Sequence, residues 1–277
     1  MFTLNCRGRL LTINQPIVMG IINATPDSFF SGSRQQTIDT ALQQAEKMIR
    51  EGATMLDIGG QSTRPCSEKI NAIEELKHVA SIITSIYKAF PGTIISVDTY
   101  YHYVAEQAVY AGASIVNDIS GGTLDSDMLF VVAKSKTPFI CMHMKGTPEN
   151  MQQHAVYENV TREVLDYFIQ RIDVCKQAGI NDVIIDPGFG FAKTITHNFE
   201  LLRNLSVFKM LEKPIIVGLS RKSTVYKTLG VTAEEALNGT TVMNTLALLN
   251  GANILRAHDV KEAVEAIKLF KKYFGKT

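Results

Sequence analysis

The chain has 277 residues, a net charge of +1, 45% apolar residues and 20% charged residues. This is the balance of a soluble globular protein long enough to bury a sizeable core, and it gives a nucleic-acid partner no electrostatic support. The apolar runs fall far short of a membrane span. The four cysteines (Cys6, Cys66, Cys141 and Cys175) have neither C-x-x-C nor metal-ligand spacing, and Met1-Phe-Thr-Leu-Asn-Cys-Arg-Gly lacks the pattern of a secretory leader, so the expectation is reduced thiols in a cytoplasmic protein.

Residues 1–15 read as a short hairpin placed to close a barrel floor. After it, short Ile/Val-rich runs recur at Ile17-Ile22, Met55-Ile58, Thr93-Val97, Ile115-Val116, Phe139-Met142, Val183-Ile185, Ile215-Leu219 and Ile254-Leu255. Each ends in a Gly, Asp, Asn, His or Ser cluster, as strands buried on both faces do. Amphipathic stretches alternate with them. Thr37-Glu51 puts Ile38, Leu42, Ala45 and Ile49 on one face before Gly52, and Thr161-Ala178 gathers Val164, Leu165, Phe168, Ile169, Ile172 and Cys175 before Gly179. Thr232-Glu235 and Asp259-Glu262 have capping-box spacing and predict helix starts. His143-Tyr157 gives no clear pattern. Eight strands alternating with helices predict a TIM (β/α)8 barrel with an N-terminal β-hairpin extension, one domain over residues 1–277. A doubly wound open sheet is the alternative, but its G-x-G-x-x-G turn is missing after the first strand.

Chemistry in such a barrel sits at the C-terminal strand ends. Here those ends carry Asn23, Asp57, Asp98, Asn117-Asp118, Met142-His143, Asp186, Ser220-Arg-Lys-Ser223 and Arg256-Ala-His258. Asp98, Asn117 and Asp186 suit the edge of a polar heterocycle with amino and amide groups. Arg64, Arg256 and His258, with Asn23, suit a phosphate or pyrophosphate. The ligand implied is polar at one end and polyanionic at the other. Asp57 and Asp118 read as structural hydrogen-bonding groups, Asp27 as a residue ordering the first loop, and Asp259 as the N-cap of the last helix. His143 reads as a satisfied wall residue, and His78, His102, His154 and His197 lack a constellation. No histidine pair has zinc spacing, and Ser220 and Ser223 lack the partners of a catalytic triad.

Six strings, each following a predicted strand or spanning its end, carry a family resemblance. They are Met19-Gly-Ile-Ile-Asn-Ala-Thr-Pro-Asp-Ser-Phe29, Gly59-Gly-Gln-Ser-Thr-Arg-Pro65, Asn117-Asp-Ile-Ser-Gly-Gly122, Asp186-Pro-Gly-Phe-Gly-Phe191, Ser220-Arg-Lys-Ser223 and Arg256-Ala-His-Asp-Val260. Together they make the chain resemble the dihydropteroate synthases of folate biosynthesis, nearly end to end. The resemblance implies a transferase that joins para-aminobenzoate to 6-hydroxymethyl-7,8-dihydropterin diphosphate and releases pyrophosphate, with Mg²⁺ assisting. It implies that Asp98, Asn117 and Asp186 bind the pterin ring, that Met142 packs on it, and that Lys222 reaches it. Asn23 would approach the Mg²⁺. Thr63, Arg64, Arg256 and His258 would hold the diphosphate, and Pro65, Phe191 and Ser223 would line the aminobenzoate subsite. The implied catalytic residues are Asp98, Lys222 and Arg256. The resemblance also implies sulfonamide competition with para-aminobenzoate, small-molecule substrates with no nucleic-acid or membrane partner, and a homodimer through late outer helices.

The chain departs from the family pattern at Gln61, where Glu is usual, at Cys66, where Gly is common, at Ala257, where Val is frequent, and in the loop Phe29-Phe-Ser-Gly-Ser-Arg34. Arg221 is expected to face outward or to support a neighbouring loop. Two other readings stay open: a pterin barrel that passes a folate methyl group to a corrinoid, and a barrel that only binds. The first needs neither Arg64 nor the Lys222-Ser223 pair, and the second would be marked by loss of the diphosphate ligands.

Overall fold

The structure is a computed structural model that describes residues 1–24, 34–61 and 69–275, with side chains from Thr37 onward in the middle stretch. The hairpin is formed by β1 (Phe2–Cys6) and β2 (Arg9–Ile13). They are antiparallel, with Cys6 opposite Arg9 across a two-residue turn in which Arg7 and Gly8 both have positive φ (55° and 85°). That is the backbone hand a tight hairpin requires. Leu4, Cys6, Leu11 and Ile13 are buried on one face. Arg7 donates to the carbonyl of Val109, and Arg9 donates to those of Pro91 and Gly92, which ties the hairpin under the rest of the molecule.

Eight parallel strands follow: β3 (Ile17–Asn23), β4 (Met55–Gly59), β5 (Ile94–Asp98), β6 (Ile115–Asp118), β7 (Phe139–Met142), β8 (Val183–Asp186), β9 (Ile216–Val217) and β10 (Ile254–Ala257). Their order is β8-β7-β6-β5-β4-β3-β10-β9, and a parallel bridge from Ile185 to Ile215 joins the two ends into a barrel. The helices between and after them are α1 (Arg34–Glu51), α2 (Ala72–Ala89), α3 (His102–Ala111), α4 (Met128–Ser135), α5 (Val160–Gln177), α6 (Ile195–Arg203), α7 (Ser223–Leu229), α8 (Leu237–Leu249) and α9 (Val260–Tyr273). None of the described helices is long and apolar enough to cross a membrane.

Strand parity explains how the barrel is filled. Successive side chains alternate between faces, so residues i, i+2 and i+4 share one. One set (Leu56, Ile58, Ile95, Val97, Val116, Cys141, Ile185, Val217 and Leu255 among them) packs outward under the helices. The other parity begins with a floor layer to which every barrel strand contributes: Met19, Met55, Ile94, Ile115, Ile140, Ile184, Ile216 and Ile254. These pack on Leu4, Cys6, Leu11 and Ile13 of the hairpin. The hairpin therefore seals the barrel bottom with apolar contact.

Two local expectations need correction, and one open stretch is filled in. The seventh strand is two residues long, not five: its ladder ends at Val217, and the chain turns at Ser220-Arg221 to present the next loop. Thr232-Glu235 does not start a helix. The Glu235 carboxylate accepts the Thr232 N–H, but this pair locks a turn, and α8 begins at Leu237. His143-Tyr157 is a loop with a short 3-10 helix at Met151–His154.

Candidate active site

Two residues beyond the floor on the same parity come Asp57, Ser96, Asn117, Met142, Asp186, Gly218 and Arg256, and a further two bring Asp98 on β5 and His258 after β10. Asn23 ends β3 at the same mouth, four residues past Met19. The barrel interior thus changes from Ile and Met at its base to charge at its C-terminal end.

The centre of the mouth is an ion network. Arg256 crosses over β3, donating from Nε to Asp57 Oδ2 at 2.6 Å and from Nη2 to Asp98 Oδ2 at 2.6 Å. Asn117 Nδ2 donates to the same Asp57 oxygen at 3.0 Å. Asp57 is fully buried, and its Oδ1 has no hydrogen-bond partner. Burial raises the Asp98 carboxyl to about 7; Arg256 opposes the rise, and the neighbouring Asp57, Asp118 and Asp186 add to it. The Arg256 guanidinium is held still more firmly charged than usual, because Asp57 and Asp98 outweigh its burial. Asp57 was expected to be a structural hydrogen-bonding group. It is one, but what it holds is the site, since it fixes both Asn117 and Arg256. Its inward parity with Met55 was the signal in the sequence.

Asp186 ends β8. Its Oδ1 accepts the Gly188 N–H at 2.8 Å. Burial raises its carboxyl, while Lys222, the Gly188 N–H, Arg256 and Lys193 pull it down. Lys222 donates to the Phe189 carbonyl, and its Nζ lies 4.7 Å from the centre of the Phe191 ring. Burial pushes this ammonium down to about 8 against the pull of Asp186. Lys222 therefore stands between the acid end of the mouth and Phe191. Ser223 is the first residue of α7 and is partly buried. Met142, Tyr100 and Ile119 form a small apolar cluster with Phe191 and Met144 packed on it. The sequence reading missed Tyr100, whose hydroxyl accepts from Gln61 Nε2 at 2.7 Å.

Where the chain leaves β9 and β10, His258 Nδ1 lies 3.1 Å from Ser220 Oγ, and the same oxygen accepts the His258 N–H. Arg221 supports a neighbouring loop: its guanidinium forms a two-point pair with Asp259 at 2.9 Å and donates to the carbonyls of Ala233 and Glu234. Asp259 stands at the N-cap position of α9 without capping it through its side chain, because Arg221 occupies both carboxylate oxygens. Asp118 is spent on the turn after β6, accepting from Ser120 and Gly122. His143 is buried, its ring held by Lys193 Nζ at 3.0 Å. His102 has a constellation after all, with Asp125 and Asp127. Asp125 accepts from the His102 N–H, the His102 ring and the Asp127 N–H, which makes it a cap for α3 away from the mouth. Thr63, Arg64, Pro65, Cys66 and Asp27 lie outside the described residues.

Asn23 offers a neutral amide oxygen at a strand end, and no hydrogen bond to another described residue uses its side chain. A hard divalent ion that takes its remaining ligands from a diphosphate and water fits one such oxygen donor.

The arrangement can hold a flat polar ring against Asp98, Asn117 and Asp186 and an anion near Arg256 and His258. The model of the pterin binding enzyme family matches residues 19–258. The dihydropteroate synthase of Escherichia coli is 40% identical over 265 residues, which cover 95% of this chain and 93% of its own. The chain belongs to the dihydropteroate synthase family. The family's solved members share the whole architecture. The Xanthomonas albilineans dihydropteroate synthase with 4-aminobenzoic acid matches at a TM-score of 0.93 and 36% identity over 99% of each chain. The Yersinia pestis dihydropteroate synthase in a sulfonamide drug complex matches at 0.92 and 39%, again over 99% of each. The X. albilineans dihydropteroate synthase in complex with 7,8-dihydropteroate matches at 0.89 and 34% over all of both chains.

Proposed function

We propose that the barrel mouth joins para-aminobenzoate to 6-hydroxymethyl-7,8-dihydropterin diphosphate, giving 7,8-dihydropteroate and pyrophosphate. The observation that carries this reading is the double grip of Arg256 on Asp57 and Asp98, with Lys222 beside it and Asp186 within reach of the charge of both. Acids and cations alternate around that site, Arg256 sharing a layer with Asp57 and Asp186 and His258 sharing the next with Asp98.

The chemistry follows from the geometry. Asp98, Asn117 and Asp186 each commit one polar atom to the protein, which leaves Asp98 Oδ1, Asn117 Oδ1 and Asp186 Oδ2 for the pterin N–H edge. Met142 packs on the ring, and Lys222 donates to it. The C–O bond from the pterin methylene to the diphosphate breaks, and its electron pair leaves with pyrophosphate. The aryl amine attacks the methylene carbon and loses a proton. Buried carboxylates favour the positive charge that grows on the pterin, while Arg256 and His258, joined by Thr63 and Arg64, stabilise the departing anion. Mg²⁺, approached by Asn23, would supply further neutralisation of the diphosphate. The weak amine nucleophile is helped chiefly by positioning between Phe191, Pro65 and Ser223. Sulfonamides would compete there with para-aminobenzoate.

The relatives that match are synthases, which favours this reading over a methyl-passing or purely binding barrel. The test is to incubate purified protein with both substrates and Mg²⁺. Dihydropteroate and pyrophosphate should form in equal amounts, and a folded sample that binds pterin without turnover would overturn the assignment.

The buried, unpaired Cys6, Cys141 and Cys175 fit a cytoplasmic enzyme. The homodimer implied by the resemblance is supported by the apolar residues exposed on α8 and α9, among them Leu249, Leu269 and Tyr273. Several of them line a groove of about 620 Å³. Sedimentation should give twice the monomer mass, and Leu269→Glu should shift it toward the monomer.

A further inference from the structure

We infer that Lys193 is a positioning residue for the aminobenzoate half of the site: its buried side chain holds the loop that presents Phe191. The inference rests on the proposed placement of aminobenzoate against Phe191, but the anchoring itself is testable without substrate.

Lys193 is 3% exposed. Its Nζ lies 3.0 Å from His143 Nδ1, 3.1 Å from the Gly188 carbonyl oxygen, 3.1 Å from that of Phe191 and 3.4 Å from that of His143. Four acceptors converge on one amine. The His143 ring must accept at Nδ1, so it is neutral with its proton on Nε2. Burial, Lys193 and Lys145 hold it well below its ordinary protonation range. Burial also pushes the Lys193 ammonium down to about 7, opposed by Asp186 and reinforced by Lys222 and Lys145. An ammonium so enclosed costs stability unless its donors are met, and here they are met by carbonyls of the loop that leads from Asp186 to Phe191.

The backbone is shaped to make this possible. Gly188 and Gly190 have φ of 70° and 83°, and a Cβ at Gly188 would collide with the His143 carbonyl oxygen. Ala192, a residue with a Cβ, also sits in the left-handed region at φ 49°. Its strained conformation turns the chain so that the next side chain doubles back beneath the loop. The loop is then gripped from two sides. Lys222 takes the Phe189 carbonyl from within the mouth, and Lys193 takes the Gly188 and Phe191 carbonyls from below.

The two halves of the site depend on this grip unequally. Asp186 belongs to β8, and its carbonyl accepts the His143 N–H at 3.0 Å, so strand pairing holds it without Lys193. Phe191 has no strand. Its backbone is held by its own N–H on the Gly188 carbonyl and by its carbonyl on Lys193. Loss of Lys193 should therefore loosen Phe191 while leaving Asp186 in place.

The test compares full-length wild type with Lys193→Met, which keeps the stem and removes the donors, and with His143→Leu, which removes one acceptor. In hydrogen exchange of the ligand-free proteins, the Phe191 amide should exchange about tenfold faster in Lys193→Met, while the Gly190 amide, held by Asn198 Oδ1 at 2.8 Å, should change less. In steady-state kinetics, that variant should raise the KM for para-aminobenzoate about tenfold, the size expected for one lost charge-assisted hydrogen bond. The KM for the pterin diphosphate should stay within about threefold, and kcat should fall less than the aminobenzoate KM rises. His143→Leu should move the aminobenzoate KM the same way by about threefold. Unchanged amide exchange overturns the anchoring, whether or not the wild type turns over. Parallel rises in both KM values overturn the unequal roles and place Lys193 behind Asp186 instead. If Lys193→Met does not fold, an unaltered aminobenzoate KM in His143→Leu overturns the inference.

Discussion

The floor and the mouth of this barrel are built by the same strands and obey opposite rules. Two residues separate Ile254 from Arg256 on β10, and Met55 from Asp57 on β4, yet one end is fully apolar and the other holds a guanidinium locked between two acids. The floor gains stability from every side chain it contains. The mouth collects carboxylates whose burial is unfavourable, and it tolerates them because cations from distant strands face them. Stability and function are thus separated along the barrel axis, and substitutions at the two ends should have distinct signatures.

The largest contrast is expected from Arg256→Gln. It leaves the buried Asp57 and Asp98 facing each other, so kcat/KM should fall by about a hundredfold to a thousandfold. Stability should fall by about 3–5 kcal/mol, as when one partner of a buried pair is removed. Enzyme assays and denaturant melts read the two effects, and an active, fully stable variant would break the comparison at its centre. At the floor, Ile140→Ala should cost about 2–5 kcal/mol through the cavity it opens. Turnover per folded molecule should stay within about twofold, because the cavity lies a layer below the ligand groups; a large loss of kcat would show that the two ends are coupled.

The next effect sharpens the description of the mouth. The Lys222 ammonium is held down to about 8 by burial, so it loses its proton, and a donor to the pterin, as pH rises through that value. Turnover should decline above about pH 8, with kcat/KM falling about tenfold per pH unit on the basic limb, and Lys222→Met should remove that limb along with most activity. A pH–rate profile still flat to pH 10 would remove Lys222 from the proposed role.

The next contrast lies behind the mouth, where α2 packs on the strand ends. Glu75, in the first turn of α2, is 1% exposed, and neither carboxylate oxygen has a hydrogen-bond partner. Burial raises it from 4.5 to about 8, a side-chain contact with Thr99 opposes this, and Asp98 and Asp118 add to it. Below pH 4.5 the group is protonated in the folded and unfolded chain alike and costs nothing. The unfolded chain ionises first as pH rises, so stability is lost progressively until the folded group ionises near pH 8. Glu75→Gln should therefore melt with the wild type near pH 4.5 and several degrees above it at pH 8. Equal melting points at both pH values would show that Glu75 is charged and satisfied in the folded protein.

Much of this was legible in the residues, and the misreadings have local causes. The alternating apolar runs located the eight strands, and the residues at their ends named Asp98, Asn117, Asp186 and Arg256 as candidates. The same alternation, counted from Met55 to Asp57, would have moved Asp57 from structural to site-holding. Asp259 and Thr232-Glu235 have the spacing of helix caps, but their side chains are turned to other partners. Arg221 claimed Asp259, and a turn claimed Glu235. Lys193 left no trace in the pattern, because a lysine after a glycine-rich loop reads as a solvated charge until the His143 strand end is placed beside it.

The sequence by itself determined what depends on short range: the two-residue period of the strands, the apolar base, the glycines that turn the loops and the motifs that mark the family. Only the tertiary structure decided which charges meet. Arg256 finds Asp57 across 199 residues of chain and Asp98 across 158. Closing the barrel puts β10 beside β3, one strand from β4 and two from β5. Coulombic attraction depends on distance in space, and that distance is set by strand order rather than by position along the chain.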